Sequence, residues 1–78
     1  MPDSATIIAL TAAAHEADHA WQSALVAHFG PRRAVAERYS YRRSHHPAAL
    51  LALEAARNSA EAARHAANVA TWPSSRHA

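Results

Sequence analysis

The residues His15-Glu16-Ala17-Asp18-His19 spell H-E-x-x-H. On a helix the two histidines fall at i and i+4, on one face, where both imidazoles can reach a single Zn²⁺ while Glu16 serves as general base. Catalytic zinc also needs a third protein ligand and a cleft that leaves one coordination position open. The extended metzincin form requires glycine at position 22 and histidine at position 25, where this chain has Gln22 and Leu25. A carboxylate third ligand would have to come from Glu37, Glu54 or Glu61, none of which sits in a recognisable motif. With seven histidines in 78 residues a chance match is expected, and solvated helix histidines are the plainer reading. The non-catalytic zinc alternative takes His15, His19 and His65, which an antiparallel pairing of two helices brings to one end.

The second constellation is basic. Arg32, Arg33, Arg38, Arg42 and Arg43 place five of the eight basic residues in a window of twelve, interleaved with Tyr39, Tyr41, His45 and His46. Guanidinium forks suit phosphates and carboxylates, and tyrosine rings suit base stacking or a protein pocket. No complete DNA-binding motif accompanies them, so an acidic protein surface is at least as good a target as nucleic acid. The expected contact residues are Arg32, Arg33, Arg38, Tyr41, Arg42 and Arg43, with Tyr41 as an anchor.

Other chemistries are excluded by what the chain lacks. It has no cysteine, which removes disulfide scaffolds, Cys-type zinc sites and thiol catalysis, and its single glycine cannot make a phosphate-cradling loop. Of 39 apolar residues 23 are alanine, leaving 16 larger ones, of which 11 are Leu, Ile, Val or Phe. A chain this short rarely gathers more than about 3–5 kcal/mol from one core. A deep, dry active-site pocket is therefore not expected, and the reading is of a protein without enzymatic activity, cofactor or small-molecule substrate.

Alanine has the best intrinsic helix propensity, so the composition points to helix rather than disorder, all the more because the net charge is only +2. Asp3 or Ser4 offers an N-cap. From there Ile7, Leu10, Ala14, Ala17, Trp21, Ala24 and His28 recur at three- and four-residue spacing, with Leu25 and Phe29 widening the stripe, until Gly30-Pro31 supplies a stop. The spacing predicts a helix over about 4–29, a short helix or turn over 31–39 with Val35 and Tyr39 inward, a loop over 40–46 and a second long helix over about 47–71, ended by Trp72-Pro73. Residues 1–73 make one helical-hairpin domain and 74–78 a frayed tail. On the second helix Leu50, Leu53, Ala56, Ala60, Ala63, Ala67 and Ala70 form the apolar row, opposite Glu54, Arg57, Glu61 and Arg64. Laid antiparallel, the hairpin sets bulky residues against methyl groups, with Trp21 over Ala56 and Ala60. Ile8, Val26, Leu51 and Val69 fall off that seam. Two hairpins pairing into a four-helix bundle would cover them, which predicts an all-α homodimer, or a helical partner bound through the same face.

The first fourteen residues carry Asp3 where a signal peptide carries basic residues, and His15, Glu16, Asp18 and His19 interrupt the only long apolar run. The expectation is a cytoplasmic protein that does not enter a membrane.

Trp21-x3-Leu25-x3-Phe29-Gly30-Pro31-Arg32-Arg33-Ala34-x3-Arg38-Tyr39 resembles the W-x3-L-x3-F-G-x-R-A…R-Y pattern of small uncharacterised helical proteins of proteobacterial phages and prophages, which precedes an alanine-rich helix. The lysine-free, Ala/Arg-rich composition is similar to that of high-GC bacterial genomes. The resemblance covers about twenty residues. It implies an accessory role, such as binding a host or virion protein, and carries no catalytic residues with it.

Overall fold

The structure, a computed structural model, describes residues 3–40 and 42–71, Arg43 and Thr71 by their backbone alone. Every regular element among them is helical: α1 spans Ser4–Phe29, α2 spans Pro31–Arg38, one 3-10 turn covers Arg43–His45, and α3 spans Ala48–Thr71. Tyr41, Trp72 and the tail at 74–78 lie outside the described residues. No helix is long and apolar enough among the described residues to cross a membrane.

Local chemistry sets the boundaries. Asp3 caps α1, its side chain accepting from the Thr6 backbone N–H at 2.8 Å, and that hydrogen bond holds the Asp3 carboxyl below its ordinary range. At the other end Gly30 adopts φ 84°, ψ 161°, a region essentially confined to glycine. Its N–H closes α1 on the Val26 carbonyl at 2.8 Å, while its own carbonyl accepts the first bond of α2 from Ala34 at 2.9 Å. Pro31 follows at the first helical position, where its missing N–H costs nothing. One residue therefore ends a helix and begins the next.

α1 and α3 run antiparallel, because Asp18 meets Arg57 and, seven residues further along α1, Leu25 shares a core with Leu50, seven residues earlier in α3. That core lies near the chain reversal: Trp21, Leu25, Ala34 and Leu50 are buried, with Ala24, Phe29 and Leu53 packed around them. α2 lies across this end with Ala34 fully buried, its methyl letting the short helix sit close.

Two inward assignments are corrected. Val35 and Tyr39 point outward, 59% and 73% exposed, and Ala34 and Glu37 take the inner positions. The turn at Gly30 sets the rotation of α2, and eight residues carry too little apolar pattern to oppose it. On α3, Ala56, Ala63 and Ala70 are exposed, so Trp21 does not sit over Ala56. The row Leu50 to Ala70 takes six steps over twenty residues, about 3.3 per step, and therefore winds around a straight helix. The row that keeps a 3.6-residue period from Leu50 runs through Glu54, Arg57, Glu61, Arg64 and Asn68, all of them buried or half-buried. The seam between the long helices therefore mixes Leu53, Ala60 and Ala67 with partly buried polar side chains, of which Arg57 pairs with Asp18 of α1.

Candidate functional site

α2 is held by polar groups on both sides of Ala34. On one side Arg38 reaches α1: its Nη1 donates to Gln22 Oε1 at 2.8 Å and its Nη2 to Asp18 Oδ1. Asp18 and Gln22 share a face of α1 at i, i+4, so one guanidinium spans both. Arg57 of α3 donates from Nε to the same Asp18 oxygen at 3.1 Å. The two guanidiniums also bracket the Trp21 ring, 4.7 and 5.9 Å from its centroid. Asp18 is thus the junction of all three helices, and the Arg38 hydrogen bond, opposed by partial burial and aided by Arg57, lowers its pKa.

A carboxyl whose pKa is depressed by folding contributes stability above its unfolded value, near 3.9, and loses it as pH falls through the lower folded value. Acidification below about pH 4 should therefore destabilise the parent chain more than Asp18→Asn. Glu61, lowered by the hydrogen bond from Arg64, acts in the same direction in both proteins. The Asp18 side chain is 32% exposed, so its share is discounted to about 1 kcal/mol. Urea midpoints of the two proteins at neutral pH and near pH 3 check this, and identical pH dependence would remove Asp18 from the junction.

On the other side of Ala34, Glu37 turns toward the segment entering α3. Its Oε1 lies 3.1 Å from His45 Nε2 and 3.8 Å from His46 Nε2. His46 is fully buried, beneath the Phe29 ring at 5.2 Å between centroids. Neither His46 ring nitrogen has a hydrogen-bond partner, nor has Glu37 Oε2. A buried polar group without a partner costs about 1–3 kcal/mol. These three side chains gather donors for a metal ion, with no two of the ligand atoms more than 4.8 Å apart.

The H-E-x-x-H pattern gathers less. His15 and His19 line an open cleft of about 380 Å³ together with Asp18, Gln22, Arg38, Arg57 and Glu61. Two guanidiniums already occupy it and oppose a cation, and His19 contacts Ser23 Oγ at 3.4 Å. His65 is exposed on α3, and among the described residues His15, His19 and His65 do not form a three-donor group.

The predicted contact residues separate as well. Arg32 and Arg42 are exposed, as is Arg33, whose guanidinium lies 5.1 Å from the Phe29 centroid. Among the described residues no carboxylate pairs with any of the three. Arg38 is turned inward on Asp18. Arg43 lies in the 3-10 turn, and Tyr41 falls outside the described residues. Val35 and Tyr39, read from spacing as core, stand on the outer face of α2 beside Arg32. An open groove of about 610 Å³, lined by Tyr39, Ser40, Ser44, Leu51, Glu54 and Asn58, runs along the adjoining side. The outward turn of Val35 and Tyr39 and the gathering of Glu37 with His45 and His46 have no periodic signal in the sequence. Pro47, which opens α3 just after His46, is the nearest hint.

No family model, curated protein or solved structure matches this chain.

Proposed function

We propose that this chain is a small non-enzymatic protein-interaction module, a phage-type accessory protein that binds an acidic surface of a host or virion protein. The observation that carries the reading is the outer face of α2. Arg32, Val35 and Tyr39 share it at three- and four-residue spacing, and Arg42 follows where the chain leaves the helix. Exposed arginine and tyrosine around an apolar residue are the types that anchor protein interfaces, where a phosphate track calls mainly for cations. Arg38 strengthens the preference, since its commitment to Asp18 leaves fewer guanidiniums for phosphates. The clefts beside this face are open rather than dry, which suits a docking surface better than an active site.

A second copy of the chain is part of the proposal. Ile8, Val26 and Val69 are 69%, 36% and 47% exposed. Antiparallel pairing of two hairpins into a four-helix bundle would bury apolar surface of this kind while leaving α2 free at each end. In light scattering at micromolar concentration the expected mass is twice 8.4 kDa. A monomer under those conditions removes the bundle without touching the α2 face.

The face is tested by capture from the native host with the parent chain and with an Arg32→Ala, Tyr39→Ala, Arg42→Ala triple variant. A partner held through α2 should bind the variant at least about 100-fold more weakly, since each anchor is worth roughly 1–2 kcal/mol. Equal capture by both proteins overturns the reading. Retention on DNA or RNA that falls steeply with salt, and falls less steeply for the variant, would assign the same arginines to phosphates instead.

A further inference from the structure

We infer that Glu37, His45 and His46 form a binding site for one divalent transition-metal ion of the zinc class, clamping the end of α2 to the segment that enters α3. The ligand atoms are a Glu37 carboxylate oxygen and the Nε2 atoms of His45 and His46. Tetrahedral zinc with bonds of 2.0–2.2 Å sets its ligand atoms about 3.3 Å apart. The two glutamate-to-histidine separations, 3.1 and 3.8 Å, already straddle that spacing. Ligand atoms of all three residues lie within 4.8 Å of one another, and the His45 ring, half-exposed, is the one with room to adjust.

Burial supplies the independent reason. His46 has no exposed side-chain surface and no hydrogen bond at either ring nitrogen, and Glu37 Oε2 is buried and unpartnered beside it. A buried imidazole with no hydrogen bond at either nitrogen is a group whose desolvation no hydrogen bond among the described residues repays. A cation at Nε2 gives it a bond and gives the carboxylate a counter-charge. Two imidazoles with one carboxylate match zinc and its neighbours in the first transition row, and disfavour magnesium and calcium, which take oxygen ligands. Because His45 is on the solvent side, the fourth position opens outward and water fills it.

The ion joins residues eight and nine positions apart across the connection between α2 and α3, so binding should be read as stabilisation. The full chain, stripped with a chelator, is titrated with Zn²⁺ by calorimetry and melted with and without the ion. One ion per chain and a higher Tm with Zn²⁺ are expected. His46 also fills space against Phe29, so the deciding variants are His45→Ala and Glu37→Gln, whose far-UV circular dichroism should match that of the parent. Each should weaken zinc by about 100-fold, the upper end of what even an outer partner of a metal ligand contributes. Co²⁺ provides a second readout: the visible absorption of a four-coordinate site should appear in the parent and be lost in Glu37→Gln. His15→Ala with His19→Ala should leave the affinity unchanged. Absence of zinc binding to the parent overturns the assignment. So does equal affinity in parent, His45→Ala and Glu37→Gln, or loss of affinity in the α1 double variant alone, which would move the site to H-E-x-x-H.

Discussion

Replacing Leu25 by alanine is expected to leave most of the protein unfolded at room temperature. Among the described residues Leu25 is the largest side chain buried completely, and it sits between Trp21, Ala34 and Leu50 where all three helices meet. Truncating a buried leucine removes its transfer free energy and leaves a cavity that surrounding groups fill only in part, a combined cost of about 2–5 kcal/mol. Alanine at 34 cannot grow into the space, and α2 is held in place by Arg38 and Gly30, so relaxation should be small and the cost near the upper end. The whole domain has about 3–5 kcal/mol to lose. Urea melts followed by circular dichroism and by tryptophan fluorescence measure the effect. A loss below about 1 kcal/mol would mean that stability resides elsewhere, for instance between chains.

Gly30→Ala should be the second most damaging change, for a reason that involves no contact. A Cβ built on Gly30 meets nothing within 4 Å, so there is no clash to relieve. The penalty lies in the backbone: φ 84° with ψ 161° is a region that L side chains scarcely enter, and holding alanine there costs about 1–3 kcal/mol. The smaller entropy that alanine gives up on folding offsets only about 0.4–1 kcal/mol of this. Because Pro31 keeps the preceding residue out of the helical region, alanine at position 30 relieves the strain by moving to extended backbone with negative φ, which would swing α2 away, expose Ala34 and separate Arg38 from Asp18. A lowered Tm with no gain in helical signal is the expected signature. An unaltered Tm would show that the reversal does not use this conformation.

The two substitutions probe different kinds of information. The break at Gly30-Pro31 and the cap at Asp3 are legible in the sequence because they depend on the conformational range of one residue and on hydrogen bonds reaching three or four positions. The helical class is legible for the same reason, since alanine favours helix whatever surrounds it. The apolar row of α3 was legible in part: Ala60 and Ala67 turn inward with Leu50 and Leu53, while Ala56, Ala63 and Ala70 are exposed. Leu50 and Leu53 do meet the core, but a row read at three- and four-residue steps drifts around the helix, and charged side chains can serve a seam as well as methyl groups when their ions are paired.

The candidate sites divide along the same line. That arginines cluster near the reversal can be counted from the sequence, but which of them face outward cannot, because Arg38 and Arg32 differ only in the rotation that the Gly30 turn imposes on α2. Glu37, His45 and His46 could each be noticed singly. Their meeting depends on the path of residues 39–47, which no repeat describes. The amino-acid sequence by itself determined where helices start and stop, since those decisions are settled within one turn of backbone. Only the tertiary structure decided which faces meet, because that depends on the rotation and crossing of rods whose neighbours lie tens of residues away.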